Sequence, residues 1–338
     1  MDYFENPYRH AAAALDVGRG VPFPSDDIDT PRALLARCPV AAVTPLVQRQ
    51  MPGSGAQLFV KSERERMGLG SFKALGAAYV IAADEKAAEK TFVTASAGNH
   101  GLSVAAGARV FKAKAIIYIA ETVPESFAER LRNEGAEVRR EGAVYEDSME
   151  AAELAAATEG LTLLSDSSWP GYFDAPRRVM EGYLALMGEV FEQMPEPATH
   201  IFLQAGVGGM AAACATAARK TWGEAPKIII VEPEAAPALE DSIREGRPTT
   251  SDGPVSSMGR LDCKTPSLIA LKGLARDADW FCTVSDEEVA SLLDQFAELG
   301  LATSPSGGAG LAAAMLDEGR LGMSDTSRVL CILSEGPA

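Results

Sequence analysis

The sequence predicts an α/β protein whose sheets are mostly parallel and covered by helices on both faces. Short apolar runs rich in β-branched residues recur between turn residues, at 91–95, 115–120, 161–164, 200–204, 227–231 and 329–333. Alanine-rich segments with helical spacing alternate with these runs, at 102–111, 124–133, 146–157 and 210–222. Almost continuously apolar strands separated by helices are typical of parallel sheets that are buried on both sides.

Composition and charge exclude several classes of protein. The chain has 338 residues, of which 47% are hydrophobic and 23% charged, which suits a globular protein of about two domains. No run approaches the roughly 20 apolar residues that a membrane span needs. The formal net charge of -16 would repel a phosphate backbone, so we expect no nucleic-acid partner. Residues 1–10 lack the basic and apolar regions of a secretory signal, so a cytoplasmic location is expected.

The cysteines and histidines predict neither a disulfide framework nor a metal site. The five cysteines are scattered and odd in number, as in reduced intracellular proteins. They are Cys38, Cys214, Cys263, Cys282 and Cys331. There are only three histidines and no paired Cys/His spacing, so we expect no bound metal.

A lysine in an apolar setting is the first candidate for chemistry. Lys73 follows Phe72 and precedes Ala74 and Leu75. Partial burial of such a side chain lowers the pKa of its ammonium group and makes the amine a usable nucleophile and base. The alternative interpretation is a surface lysine whose head group reaches water.

Two strand-to-helix turns are candidate ligand sites, because ligands of open parallel sheets bind at the carboxyl ends of strands. The turn 94–101 is built from small residues and carries Ser96 and Asn99 before a helix, so its exposed amides would suit a carboxylate. The turn 204–210 carries three glycines before a long alanine-rich helix, as a phosphate cradle does, but it has neither the P-loop lysine nor the dinucleotide spacing. An ordinary capped turn and tight helix–strand packing are the respective alternatives.

The order of these motifs resembles the pyridoxal-phosphate (PLP) enzymes of fold type II, the tryptophan synthase β or threonine dehydratase family. Gly-Ser-Phe-Lys is followed by Ser-Ala-Gly-Asn-His-Gly, then by Gly-Val-Gly-Gly, and finally by Leu-Ser-Glu-Gly at 333–336. The resemblance extends from Thr44 to Gly336. It implies two open sheets, with PLP between a large domain (1–88 and 168–338) and a small domain (89–167).

The resemblance also implies roles for individual residues. Lys73 would hold PLP as a Schiff base, Asn99 would contact its phenolic oxygen, and Ser334 its pyridine nitrogen. The implied cofactor-binding residues are Lys73, Phe72, Asn99, Gly206, Val207, Gly208, Gly209, Met210 and Ser334. The implied substrate-binding residues are Ser96, Ala97, Gly98 and His100, of which Ser96 and the amides of the Asn99–His100 turn would seat the substrate carboxylate.

Three segments are similar to diaminopropionate ammonia-lyases in particular: 66–73, 166–172 and 258–266. Those enzymes have an aspartate at the position of Ala97, where it serves the D-isomer, whereas the aspartate linked to the L-isomer is kept as Asp166. The resemblance therefore implies an L-amino acid substrate, with Lys73 and Asp166 as the catalytic residues. The Val-Glu-Pro segment at 231–233 is similar to that of metal-dependent relatives, but Ala238 stands where they have an aspartate, so no cation is expected.

The implied reaction is a β-elimination on a small L-amino acid such as 2,3-diaminopropionate, which gives a 2-oxo acid and ammonia. Lys73 or Asp166 would take the Cα proton, and Asp166 would protonate the leaving group. Asp166 as a helix cap or turn residue is the alternative. Other candidate functions are a β-hydroxy amino acid dehydratase (threonine, serine, hydroxyaspartate or phenylserine type), a racemase, a β-replacement synthase and a non-enzymatic binding protein. A homodimer is expected from the relatives.

Overall fold

The computed structural model describes residues 1–337, which form eleven strands and twelve α-helices. The strands are β1 Asp2–Glu5, β2 Leu46–Gln50, β3 Gln57–Ser62, β4 Thr91–Ala95, β5 Lys114–Ile119, β6 Glu137–Arg140, β7 Thr162–Leu163, β8 His200–Gln204, β9 Lys227–Pro233, β10 Trp280–Val284 and β11 Arg328–Leu333. The helices are α1 Asp29–Leu35, α2 Lys73–Ala82, α3 Asn99–Val110, α4 Glu125–Asn133, α5 Tyr145–Glu159, α6 Asp174–Gln193, α7 Gly209–Trp222, α8 Ala238–Glu245, α9 Leu268–Asp277, α10 Asp286–Ala290, α11 Leu293–Glu298 and α12 Pro305–Leu316.

The strands form two separate sheets, which confirms the predicted fold class. Seven strands form the larger sheet in the order β1-β10-β9-β8-β11-β3-β2, with five parallel strands between the antiparallel edge strands β1 and β2. The smaller sheet has the order β6-β5-β4-β7 and is parallel throughout. All strands of the smaller sheet come from 91–163 of the chain.

A layer of helices is shared by the two sheets. One continuous cluster of buried side chains joins Ile117 of the smaller sheet to Ile201 of the larger sheet through α2, α3, α6 and α7. Further clusters cover the outer faces of the larger sheet and the smaller sheet. Helix α2 packs against both α3 and α6. The first residue of α2 therefore lies where the two sheets face each other across the shared layer.

Among the residues that the structure describes, no helix has the length and apolar character that would let it cross a bilayer. All five cysteines are free thiols, as the sequence predicts.

A buried group of charged side chains lies beside the chain segment that leads to Lys73. This buried ion cluster consists of Lys61, Glu63, Arg66 and Glu189, none of which is more than 10% exposed. Arg66 Nη1 donates to Glu189 Oε1 at 2.8 Å, and Arg66 Nε donates to Glu63 Oε2 at 2.7 Å. Lys61 Nζ donates to Glu189 Oε2 at 2.5 Å. The cluster joins β3 and the following turn to α6, so it fixes the start of the segment that ends in Lys73.

Replacing Glu189 by glutamine should lower the free energy of unfolding by about 3–5 kcal/mol, because two buried cations lose their shared carboxylate. Burial alone would raise the pKa of Glu189, but Arg66 and Lys61 outweigh it and lower that pKa. The stabilisation is therefore complete above the ordinary carboxyl pKa and is lost as the pH falls through the lower folded-state value.

Urea unfolding at several pH values measures this effect. Glu192→Gln is the control, because Glu192 lies on the same helix but pairs with Arg32 at the surface. Equal unfolding midpoints for the two variants at neutral pH would show that the cluster does not stabilise the fold.

Candidate active site

The candidate site lies at the carboxyl ends of parallel strands from both sheets, as expected for this fold class. The chain after β3 leads to Lys73, the chain after β8 forms the glycine turn, and the chain after β11 begins with Ser334. From the smaller sheet, β4 leads to the turn with Ser96, and β7 is followed shortly by Asp166.

Lys73 and Asp166 form an ion pair at the centre of this site. The Nζ of Lys73 donates to Oδ2 of Asp166, and their side chains are 22% and 17% exposed. Lys73 follows β3 of the larger sheet and Asp166 follows β7 of the smaller sheet, so their contact joins the carboxyl ends of the two sheets. The next helix begins only at Asp174, and Asp166 therefore does not cap a helix. The helix-cap interpretation of Asp166 is wrong.

The charge state of Lys73 differs from the one that the sequence predicts. Burial lowers the pKa of the Lys73 ammonium, but the carboxylate of Asp166 outweighs burial and raises that pKa above its ordinary value. Burial likewise would raise the pKa of Asp166, and Lys73 holds it below the usual carboxyl range. The expectation of a lowered lysine pKa was wrong because the partner of Lys73 is 93 residues away in the sequence. In this structure the pair is an ammonium and a carboxylate.

The segment before Lys73 has an unusual backbone. Gly68 and Gly70 have φ angles of +72° and +79°, and Met67, which is not a glycine, has a φ of +50°. Left-handed conformations are costly for residues with a side chain and are found often at functional sites. This segment turns the chain so that Phe72 and Lys73 enter α2 at the site.

The turn between β4 and α3 contains the residues predicted to bind substrate. Ser96 is buried, and its Oγ accepts from the backbone amide of Gly98 at 3.2 Å. Arg260 Nη1 donates to the carbonyl oxygen of Ala97 at 3.1 Å, so a guanidinium lies over this turn. The turn therefore presents a helix N-terminus and a cation, a suitable environment for a carboxylate.

His100 is buried in this turn, with its Nε2 2.8 Å from the carbonyl oxygen of Leu164. Its Nδ1 has no hydrogen-bond partner within 1–337. Burial lowers the pKa of His100, so the ring is neutral.

The turn between β8 and α7 has the properties of a phosphate cradle. The backbone amides of Gly206, Gly208 and Gly209 find no acceptor in the described part of the chain, and the dipole of the 14-residue helix α7 points its positive end at them. Gly208 has a φ of +96°, and a Cβ there would lie 3.0 Å from Cβ of Ala270. A Cβ on Gly206 would lie 2.9 Å from Sγ of Cys263. These residues therefore fit the phosphate of PLP, with donors to hold it and no side chain in its place.

The cradle and the ion pair are neighbours. A Cβ on Gly209 would lie 3.8 Å from the backbone oxygen of Asp166. The thiol of Cys263 lies beside the same cradle, and burial together with Asp166 raises its pKa to about 11. Val207 and Met210 complete the turn, and Met210 is buried in the shared core.

The chain after β11 lies beside Phe72 and Asn99. The backbone oxygen of Ser334 accepts from the amide of Phe72 at 3.1 Å, and its side chain is buried. Asn99 Nδ2 donates to Glu335 Oε2, and Ser304 Oγ donates to the other oxygen of Glu335. Nε of Arg260 is 3.7 Å from Glu335. The structure thus places Ser334 and Asn99 at one site, with Glu335 between Asn99 and Ser304.

Several residues of the site were not predicted. Glu335 and Arg260 lay inside the quoted motifs, but their residue types gave no role. Tyr183, in the middle of α6, lay in no motif, because a tyrosine on the apolar face of a helix looks like any core residue. Its ring packs edge-on against Phe72 with centroids 4.9 Å apart.

Glu232, in the Val-Glu-Pro segment, accepts from the backbone amides of Leu239 and Glu240, both at 2.8 Å. Its carboxylate therefore caps the first turn of α8. Within 1–337 no cluster of three or more His, Cys, Asp or Glu side chains could hold a metal ion.

Comparisons with known proteins agree with this geometry. A family model described as pyridoxal-phosphate dependent enzyme matches residues 39–335. The diaminopropionate ammonia-lyase of Salmonella typhimurium is 33% identical over 285 residues, which cover 74% of this chain and 70% of the relative. The Escherichia coli enzyme of the same name is 31% identical, and the match covers 69% of this chain and 65% of that relative. The L-serine dehydratase/L-threonine deaminase of Mus musculus is 29% identical, and the match covers 82% of that relative.

Solved structures show the same similarity over almost the whole fold. The Escherichia coli diaminopropionate ammonia lyase in complex with an aminoacrylate-PLP azomethine reaction intermediate superposes with a TM-score of 0.85 at 26% identity, covering 99% of this chain and 93% of that one. These findings confirm the predicted family and cofactor, and the chain belongs to the pyridoxal-phosphate dependent enzymes.

Proposed function

We propose that this chain is a PLP-dependent lyase that catalyses β-elimination on a small L-amino acid such as 2,3-diaminopropionate, with release of a 2-oxo acid and ammonia. The observation that carries the proposal is the Lys73–Asp166 ion pair beside the glycine cradle. Together they provide an amine for the cofactor, a carboxylate that can exchange a proton, and donors for a phosphate.

The chemistry that PLP supplies when bound is capture of the substrate amino group and withdrawal of electrons from Cα. Lys73 is the base that takes the Cα proton, and the carboxylate of Asp166 is paired with its amine. Asp166 accepts the proton of the Lys73 ammonium and is the acid that serves the leaving group. Amides of the turn at 96–100, with Arg260 beside them, hold the substrate carboxylate.

Gly206, Gly208 and Gly209 hold the cofactor phosphate, with Val207 and Met210 in the same turn. Asn99 and Ser334 would face the cofactor ring in this proposal, which is supported by the contact of Asn99 with Glu335 and of Ser334 with Phe72. We propose that residues 89–167 act as the small domain, which closes over substrate and excludes water from the site. A homodimer and a cytoplasmic location also belong to this proposal, and light scattering coupled to size exclusion tests the former.

A β-hydroxy amino acid dehydratase is the second candidate function, favoured by the similarity to serine and threonine dehydratases. Both candidates use the same residues, and they differ in the leaving group. Racemisation is represented among the similar solved structures by a maize serine racemase, at 25% identity and a TM-score of 0.80.

A substrate panel with separate ammonia and 2-oxo acid assays tests the proposal. Elimination from L-2,3-diaminopropionate should give two equivalents of ammonia for each 2-oxo acid, whereas a β-hydroxy substrate gives one. We expect activity with L-isomers over D-isomers. Turnover of β-hydroxy amino acids alone would move the function to the dehydratases, and absence of 2-oxo acid from every substrate would contradict the proposal.

Replacing Gly208 by alanine should weaken PLP binding by about 10-fold or more, because the new Cβ is only 3.0 Å from Ala270 and the φ of +96° disfavours any side chain. Equilibrium titration of the cofactor-free protein with PLP, followed by absorbance, measures the effect. Gly223→Ala is the control at the other end of α7, where φ is +61° and no atom lies within 4 Å of the Cβ position. Equal PLP affinity in both variants would mean that the phosphate does not bind at this turn.

A further inference from the structure

Tyr183 has a hydroxyl group that is buried beside Lys73 and meets no partner at full hydrogen-bond geometry. The residue is 1% exposed, and within residues 1–337 its Oη forms no hydrogen bond of ordinary geometry, although it interacts with the side chain of Lys73. Buried hydroxyl groups nearly always form hydrogen bonds, because leaving one unpaired costs folding free energy. When a buried hydroxyl group in a candidate active site is unpaired, we expect it to gain a hydrogen-bond partner during function.

The surroundings of the ring place its hydroxyl end at the reacting groups. A Cβ on Gly76 would lie 2.6 Å from Cε1 of Tyr183, and a Cβ on Gly209 would lie 3.7 Å from Cε2. These two carbons flank the hydroxyl, which therefore lies between α2 and the first residue of α7. Lys73 Nζ is 6.0 Å from the centroid of the ring.

The hydroxyl is a neutral group in this position. Burial raises the pKa of Tyr183 above its ordinary value, Lys73 acts to lower it and Asp166 to raise it. A neutral hydroxyl both donates and accepts hydrogen bonds, whereas a carboxylate only accepts. Asp166 can therefore hold Lys73 as an ammonium, but it cannot donate to a neutral amine.

We propose that Tyr183 is a positioning residue that donates a hydrogen bond from Oη to the neutral amine of Lys73. This inference rests on the proposed function, in which Lys73 must be a free amine before it takes the Cα proton. The bond favours the neutral amine over the ammonium, and it breaks when the lone pair of Nζ takes the Cα proton. When Lys73 becomes protonated, Asp166 takes over as its partner, and the hydroxyl of Tyr183 can accept instead.

The test compares Tyr183→Phe with wild type and with Tyr79→Phe, which removes a hydroxyl that contacts Glu181 on the neighbouring helix. On a substrate that the wild type turns over, Tyr183→Phe should lower kcat roughly 10-fold with little change in KM. The kinetic isotope effect with α-deuterated substrate should grow. In the plot of kcat against pH, the limb that reports loss of the proton from Lys73 should move to higher pH, because the variant stabilises the neutral amine less.

A second readout needs no turnover. The rate at which PLP rebinds to the cofactor-free protein depends on the neutral amine of Lys73, and absorbance follows it as a function of pH. We expect the midpoint of this dependence to rise in Tyr183→Phe and to stay in place in Tyr79→Phe. An unshifted midpoint would overturn the inference, whether or not the wild type shows elimination.

Two other outcomes would also contradict the proposed role of Tyr183. Weaker PLP affinity with unchanged kcat at saturating PLP would assign the hydroxyl to the cofactor phosphate. Unchanged kcat and pH profile would leave Tyr183 a packing residue. If the wild type turns over no substrate of the panel, the proposed function is contradicted. The rebinding experiment tests the role of Tyr183 independently of that result.

Discussion

Replacement of Lys73 by alanine should abolish the visible absorbance of the PLP-loaded protein and lower kcat/KM by about 10³-fold or more. The lysine is the anchor of the cofactor aldehyde and the base for the Cα proton, so the variant loses both at once. PLP can still enter through the phosphate cradle, because Gly206 to Gly209 are untouched. The absorbance scan and the ammonia assay on one preparation measure the two losses together.

Lys90→Ala is the matched control for Lys73→Ala. Lys90 also pairs with an aspartate, Asp84, at 2.5 Å, but this pair lies at the surface. The control should keep both the visible band and the activity. A visible band that survives in Lys73→Ala would show that another amine carries the cofactor.

Replacement of Asp166 by asparagine has the second largest expected effect, a loss of about 10²–10⁴-fold in kcat with L-amino acids. Asparagine keeps the shape of the side chain but cannot exchange a proton. Because the carboxylate is the largest influence that raises the pKa of Lys73, the lowering effect of burial weighs more in the variant, and the pKa of Lys73 should fall. Its pH limb should thus move to lower pH, opposite to the shift expected for Tyr183→Phe.

Steady-state kinetics over pH measure this change, and Asp84→Asn provides the control from the surface pair. Asp166→Asn should retain its visible band, because Lys73 is still present to hold PLP. A kcat within about threefold of wild type would contradict the role of Asp166 in proton transfer.

The strands and helices that the sequence predicted are elements whose local pattern is set by burial, although the buried strand β3 was not among them. All six predicted strands and all four predicted helices occur within a few residues of their expected positions. The edge strands β2 and β6 were missed because they are polar: Leu-Val-Gln-Arg-Gln and Glu-Val-Arg-Arg carry no apolar run. Strand β10 has an apolar pattern as clear as the others and could have been recognised.

The residues of the site likewise fall into those with a local sequence signal and those without one. The glycine turn after β8 and the small-residue turn after β4 were visible, because glycines between a strand and a helix form a local signal. Lys73 and Asp166 are 93 residues apart in the sequence and pair only because the two sheets lie together in the fold. Only the family resemblance suggested that Asp166 belongs to the site. Tyr183 lay in no motif, and Arg260 lay in one that gave it no role, since both roles come from what lies opposite these residues in space.

The position of β11 in the larger sheet has a consequence for synthesis on the ribosome. This last strand lies between β8 and β3, so the N-terminal hairpin of β2 and β3 joins the sheet only through it. Val329 pairs with Leu58, and such contacts, distant in the chain, form late in folding. A nascent chain would lack the strand that joins β3 to the rest of the larger sheet until residue 333 has emerged. Products truncated before β11 should therefore expose unpaired edges of β3 and β8, which proteases and chaperones recognise.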